Sequence, residues 1–69
     1  MSKYSMVISW SEEDQSYIVS VPELPGCMAD GKTPEEAAKN AEIIIQEWIE
    51  TALADGEEIP EPHLFSMPV

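Results

Sequence analysis

Cysteine and histidine are the residue types in this chain that most readily supply a nucleophile and a base. The sequence contains one of each, Cys27 and His63. A thiolate activated by an imidazole is a common arrangement in covalent catalysis. Cys27 follows a Pro-Gly turn signal and no oxyanion loop is recognisable, so we expect a small core or loop residue. His63, which follows a proline, is expected at the surface or in packing. We therefore predict no catalytic residue and no enzymatic activity.

Carboxylates are the second group that could do chemistry, because paired acids act as general acids and bases or hold metal ions. The acidic clusters are Glu12-Glu13-Asp14, Glu35-Glu36 and Glu57-Glu58. Each cluster lies at a predicted turn or helix end, where it solvates the chain or complements a helix N-terminus. The sequence shows no glycine-rich phosphate loop, Ser-His-Asp set or histidine-rich metal spacing. We predict no metal site and no cofactor.

The chain is strongly acidic. Fourteen acidic residues against three lysines give a formal net charge of -11. This charge repels nucleic acid phosphates and anionic lipid headgroups, so we expect no direct nucleic acid binding and no membrane association. An acidic surface attracts a basic partner protein, although a simple solvated exterior explains the same composition.

Length and cysteine content narrow the class of protein. A chain of 69 residues is expected to form a single domain, residues 1–69, with a core so small that self-association is a reasonable expectation. One cysteine excludes an internal disulfide and suits a reducing compartment. The N-terminus lacks a signal-peptide apolar region, and no apolar run approaches the ~20 residues of a membrane helix. We predict a cytoplasmic protein.

The one long regular element is a predicted helix over about 34–55. Thr33 occupies the N-cap position, Pro34 the first helical position, and Glu36 completes a T-x-x-E capping box. Gly56 follows as a C′ glycine would. The apolar residues recur at three- and four-residue spacing on one face: Ala37, Ala38, Ala41, Ile44, Ile45, Trp48, Ile49 and Ala52. One side of this helix therefore faces a core.

Shorter alternating segments predict strands over about 4–10, 17–21 and 27–30, with a rigid proline-containing loop over 22–26. The inward sets are Tyr4, Met6, Ile8 and Trp10, then Tyr17, Val19 and Val21. We expect both Trp10 and Trp48 in the core. A proline-rich tail over 57–69 follows, which either adds a short terminal strand or does not. The predicted fold class is α+β, a small antiparallel three-stranded sheet covered on one face by one helix.

Two motifs at fixed separation resemble the HicB-like antitoxin family. They are the P-x-L-P-G-C loop from Pro22 to Cys27 and the T-x-E-E-A helix start from Thr33 to Ala37. The similarity extends over about residues 4–62. The resemblance implies a partial RNase H-like fold, β-β-β-α-β, without the nuclease carboxylates, and predicted strand one contains no acid. It also implies a partner, a small basic RNA-cleaving toxin of the HicA type.

Many family members continue into a ribbon-helix-helix or helix-turn-helix domain that represses their own operon. This sequence ends at Val69, so DNA binding is not carried over to it.

The functional prediction is a noncatalytic antitoxin that covers such a toxin. The alternative is a structural or regulatory homo-oligomer, a dimer or tetramer, without a toxin partner. Ile43 falls nearly opposite the buried helix face at about 100° per residue, so we expect it to be exposed. A single exposed isoleucine needs no explanation, although beside an acidic face it could form part of a contact patch. The predicted partner-binding residues are the loop and the outer helix positions Glu23, Leu24, Pro25, Gly26, Ile43, Glu47 and Glu50.

Overall fold

The computed structural model describes residues 3–62. It contains strands β1 (Val7–Ser11), β2 (Ser16–Ser20) and β3 (Met28–Gly31), followed by helix α1 (Pro34–Ala54). The strands form one antiparallel sheet in the order β1-β2-β3. The predicted α+β fold is confirmed, and each predicted strand and the helix occurs within a few residues of its expected bounds. The possible terminal strand and His63 lie outside the described residues.

Helix α1 begins and ends with the capping interactions that its sequence predicts. The Thr33 side-chain oxygen accepts a hydrogen bond from the Glu36 N–H at 3.1 Å. At the other end, Gly56 has φ +72 and donates to Leu53 O at 3.1 Å, while Glu57 donates to Ala52 O at 2.9 Å. These two bonds form a Schellman motif, which satisfies the last carbonyls and requires a left-handed residue at the glycine position.

The N-terminal half of α1 lies close to the sheet because the residues between them are small. Val19 of β2 is fully buried against Ala37 and Ala41. Gly31 of β3 lies under the same helical turn, and a Cβ added there would stand 2.4 Å from Ala37 N and 2.8 Å from Ala37 Cα. Such distances are far inside van der Waals contact, so only glycine permits this approach of helix to strand.

The C-terminal half of α1 packs on the loop that joins β2 to β3. Val21, Leu24, Cys27 and Ile45 form a buried cluster. Partly buried apolar side chains surround it: Tyr4, Met6, Ile44, Trp48 and Ile49. The Tyr4 hydroxyl also donates to Pro60 O at 2.6 Å, which fixes the chain after the helix to the segment before β1. The core is therefore divided between a helix–sheet half and a helix–loop half.

The prediction that Trp10 belongs to the core was wrong. Its side chain is 47% exposed, because α1 lies mainly over β3 and β2 and makes few contacts with β1. The indole packs edge-on against Tyr17, with ring centroids 5.0 Å apart and planes at 67°, and its Nε1 donates to Glu12 at 2.9 Å. Trp10 is thus a cross-strand pairing residue.

Candidate functional site

The loop after β2 consists of two overlapping turns. Leu24 N–H donates to Val21 O at 3.1 Å, and Cys27 N–H donates to Leu24 O at 3.0 Å. A third bond, from Val21 N–H to Cys27 O at 3.0 Å, closes the loop at its base. Pro22 and Pro25 each occupy the second position of a turn, where the fixed φ of proline is already correct. The P-x-L-P-G-C motif is therefore explained by turn geometry.

The loop presents some of its predicted partner-binding residues at the surface and buries another. Pro25 and Gly26 are exposed, and Gly26 has φ +78 as the third position of a type II turn requires. Leu24 is 0% exposed, so its side chain anchors the loop in the core. Glu23 is half-buried, and its Oε2 accepts from both N and Oγ of Ser5 at 3.0 Å.

The three predicted helix positions share one exposed stripe of α1. Ile43, Glu47 and Glu50 follow at i, i+4 and i+7 and therefore point in nearly the same direction. All three are exposed, Ile43 to 54% of its surface. The structure thus places an exposed large apolar side chain beside two carboxylates, on the flank of the helix next to β3.

Two shallow hollows lie beside this stripe and connect it to the sheet and the loop. The β3 hollow, of about 290 Å³, is lined by Met28, Ala29, Asp30, Asn40, Ile43 and Ile44. The helix-end hollow, of about 280 Å³, is lined by Ile44, Glu47, Trp48, Thr51, Ala52 and Glu57. Ile44 belongs to both. The Trp48 Nε1 donates to Pro25 O at 2.9 Å, which joins the exposed turn to the same region.

We call the residues lining these two hollows, together with Pro25, Gly26 and Glu50, the docking surface. Its centre is apolar, and four carboxylates surround it: Asp30, Glu47, Glu50 and Glu57. Sequence reasoning missed Met28, Asp30 and Glu57 as contributors. Met28 and Asp30 reach this surface because of the register of β3. That register depends on pairing with β2 and cannot be predicted from the four residues of β3 alone.

The geometry suits contact with a protein better than binding of a small ligand. Each hollow is at or below the lower end of the roughly 300–1,000 Å³ that small-molecule pockets occupy. Carboxylates around an apolar centre match a basic surface that carries an apolar side chain. Over residues 3–62, no three His, Cys, Asp or Glu side chains converge in a way that could hold a metal ion.

Cys27 lies in the core beneath the loop, not on the docking surface. Its side chain is 2% exposed, and burial raises the pKa of the thiol above its ordinary value of 9.0. The neutral thiol is the form that predominates at physiological pH, and a neutral thiol is a poor nucleophile. This environment is typical of a structural cysteine.

We expect the Cys27 thiol to react at least about 100-fold more slowly with an aromatic disulfide reagent at pH 8 in native protein than in urea, because burial blocks both access and ionisation. Stopped-flow absorbance would measure both rates. Because the pKa of the Cys27 thiol is raised in the folded protein, the buried neutral thiol contributes to the free energy of unfolding below pH 9. This contribution is lost as the pH rises through the pKa of the folded state. Cys27→Ala should lack this alkaline loss of stability. Equal reaction rates of the thiol in native and unfolded protein would contradict its burial.

No helix within residues 3–62 combines the length and apolar content needed to cross a membrane. The described helix is instead amphipathic, with one buried side and one acidic side.

Sequence comparisons relate this chain to known proteins. A family model described as "HicB_like antitoxin of bacterial toxin-antitoxin system" matches residues 4–67. The chain is 43% identical over 58 residues to the UPF0150 protein Ta0767 of Thermoplasma acidophilum, covering 84% of this chain and 83% of that protein. It is 36% identical over 59 residues to a UPF0150 protein of Archaeoglobus fulgidus, covering 83% and 84% of the two chains.

A third relative is an uncharacterized 14.9 kDa protein of Haemophilus phage HP1, 46% identical over 48 residues. That match covers 70% of this chain and 36% of the phage protein, so the two share one region only. The family match covers nearly the whole chain, including the loop and helix start described above. The protein belongs to the HicB-like antitoxin family of bacterial toxin–antitoxin systems.

Proposed function

We propose that this chain is a noncatalytic antitoxin, acting in the cytoplasm as a single domain, that binds and neutralises a small basic RNA-cleaving toxin of the HicA type. Family membership supports an antitoxin role in general. The observation that carries the finer proposal is the docking surface, where exposed Ile43 and Met28 lie beside Asp30 and Glu47. An apolar centre ringed by carboxylates is the complement of a basic protein surface.

The proposed mechanism is competition for the surface that the toxin uses to hold RNA. A protein that cleaves RNA must bind a polyanion, so its active surface is basic. The acidic docking surface would be drawn to that region and exclude RNA from it. Affinity would come chiefly from the desolvated apolar centre, whereas the surrounding carboxylates would raise the association rate. The lack of an acidic residue in β1 fits a binding role.

Co-expression with a candidate toxin, a small basic protein sought among the neighbouring open reading frames, tests the proposal directly. We expect that protein alone to arrest growth, the chain to relieve the arrest, and the two to purify together. Purified complex should show no RNA cleavage, and cleavage should return when the complex is dissociated. Failure to co-purify, together with unrelieved growth arrest, would remove the toxin-binding proposal.

Reversing two helix charges should slow formation of the toxin complex. For Glu47→Lys combined with Glu50→Lys we expect an association rate constant about tenfold lower at low salt, because the attractive field at the docking surface is removed. Surface plasmon resonance at several ionic strengths would measure this rate. Glu13→Lys with Glu61→Lys makes the same change in net charge at exposed sites elsewhere. An equal slowing in that control would mean that net charge alone matters.

Ile43→Asp separates the antitoxin from the alternative, a structural or regulatory homo-oligomer without a toxin. If the docking surface binds a toxin, this variant should raise the dissociation rate of the complex by about tenfold, because it places a charge in the apolar centre. Sedimentation of the variant alone should then match the wild type. A change in sedimentation of the chain alone, with no effect on any complex, would favour the alternative.

A further inference from the structure

The C-terminal end of α1 carries negative charge that its own last turn does not offset. A helix has roughly half a negative charge at its C-terminus, where lysine or arginine normally compensates it. The last turn of α1 contains no basic residue, and Asp55 and Glu57 follow it closely. Lys32 and Lys39 lie near the opposite end of α1, and Lys3 precedes β1. A cation supplied from outside the chain would therefore be stabilised at this end.

The helix-end hollow lies beside this end of α1 and combines three kinds of surface. Ile44 and Ala52 supply apolar surface, Trp48 supplies an aromatic ring, and Glu47 and Glu57 supply two carboxylates. Its volume of about 280 Å³ is below that of most small-molecule pockets, so a single long side chain is a better match in size than a whole ligand. An aromatic ring beside carboxylates is the lining that suits a cationic group.

The framework of the hollow is held in place by hydrogen bonds that leave its carboxylates available. The Trp48 Nε1 donates to Pro25 O at 2.9 Å, which restrains the indole. The backbone of Glu57 is held by the bond from its N–H to Ala52 O at 2.9 Å. Within residues 3–62, no hydrogen bond or ion pair engages the side-chain carboxylate of either Glu47 or Glu57. Both of these residues are exposed, so a cation can reach them.

We infer that the helix-end hollow takes an arginine side chain of the basic partner, with its guanidinium stacked on Trp48 between the carboxylates of Glu47 and Glu57. A guanidinium is planar and weakly hydrated, so it stacks on aromatic rings and pairs with a carboxylate through two hydrogen bonds. A lysine ammonium is compact and strongly hydrated, which makes it less suited to a hollow with apolar walls. The inference rests on the proposed function, because a basic protein supplies the arginine, and it adds which side chain the docking surface recognises.

NMR spectroscopy of the purified chain tests the inference with N-acetyl-arginine amide as the probe. The indole N–H signal of Trp48 reports on the hollow, and that of Trp10, which lies outside it, is an internal control. We expect the Trp48 signal to move with a dissociation constant of about 1–10 mM in about 0.1 M NaCl, and the Trp10 signal to stay in place. N-acetyl-lysine amide has the same charge and should bind at least about fivefold more weakly. N-acetyl-citrulline amide has the shape of the arginine probe without its charge and should not bind.

Glu47→Gln and Glu57→Gln each remove one charge from the hollow and should weaken binding of the arginine probe at least about threefold. Glu13→Gln is the matched control, because it makes the same change at an exposed carboxylate in the turn between β1 and β2. It should leave the dissociation constant within about 1.5-fold of the wild type. Circular dichroism would show that every variant is folded.

Three results would overturn the inference: no movement of the Trp48 signal up to about 50 mM arginine probe, equal binding of the lysine probe, or unchanged binding in both glutamine variants of the hollow. These results are separate from those of the co-expression experiment. A chain that neutralises a toxin without preferring arginine would remove this inference alone. A chain that prefers arginine but binds no toxin would remove the proposed function and leave the arginine site.

Discussion

Gly31→Ala is expected to lower the free energy of unfolding by about 3 kcal/mol, at the upper end of the cost of overpacking a core. The added methyl group would stand 2.4 Å from Ala37 N and 2.9 Å from Glu36 C. Both atoms belong to the backbone of α1, so the contact cannot be relieved by turning a side chain. The first helical turns would have to lift from β3, which would also expose Val19 and Ala41.

Thermal unfolding followed by circular dichroism would measure the effect. For a chain of this size a loss of 3 kcal/mol lowers the melting temperature by about 12–24 °C. It is also a large share of the roughly 3–10 kcal/mol that stabilises a domain of this length. We therefore expect the variant to be partly unfolded at growth temperature.

Two other glycines provide the control for Gly31→Ala. A Cβ at Gly26 or at Gly56 meets nothing within 4 Å, but these residues have φ +78 and +72. Alanine at either position is strained by its backbone conformation alone, which costs about 1 kcal/mol. We therefore expect the largest loss of stability at Gly31, where a steric contact causes it. The losses at Gly26 and Gly56 should be smaller, because only the positive φ causes them. Equal losses at all three positions would show that the helix can move away from β3 cheaply.

The sequence was most informative where structure is determined locally. The N-cap at Thr33, the C′ glycine at Gly56 and the apolar stripe of α1 depend on neighbours within a few residues, and all three were predicted. The rigid loop over 22–26 was predicted for the same reason, although its two turns were not specified. In each case the hydrogen-bond partners and the preferred backbone angles lie within the same short segment.

Prediction failed where position depends on how separate elements pack. Whether Trp10 is covered depends on the placement of α1 across the sheet, and alternation within β1 carries no information about that. The requirement for glycine at position 31 was not predicted for the same reason. It arises from the close approach of the Ala37 backbone, which belongs to the helix packed on β3. The docking surface gained Met28 and Asp30 only through the β3 register, which is likewise a long-range property.

The loop motif shows that a family signature can reflect the requirements of folding more than those of partner binding. Its prolines fix turn angles, Gly26 supplies a left-handed angle, and Leu24 fills the core. Of the four loop residues predicted to bind a partner, Pro25 and Gly26 have the exposed surface to do so. Similarity in this motif is therefore strong support for a shared fold. We therefore propose that the surface that distinguishes partners lies outside the motif, along the outer stripe of α1 and the β3 edge.

Leu24→Ala tests that distinction between folding and recognition. Leu24 is fully buried among Val21, Cys27 and Ile45, so truncation removes apolar contacts and leaves a cavity under the loop. We expect a loss of about 3 kcal/mol in the free energy of unfolding, within the usual 2–5 kcal/mol for a buried leucine. Urea denaturation should show a lower midpoint with an unchanged slope.

The exposed Ile43 provides the matched control, because Ile43→Ala removes a similar side chain from a surface position. It should change stability by less than about 0.5 kcal/mol. Binding to a partner should show the reverse order: measured at low temperature where both variants are folded, Leu24→Ala should keep the wild-type dissociation rate and Ile43→Ala should raise it. The three backbone bonds that close the loop do not involve the Leu24 side chain, so the exposed turn should keep its shape. A folded Leu24→Ala protein that no longer binds would mean that the core under the loop, and not only the outer helix stripe, determines recognition.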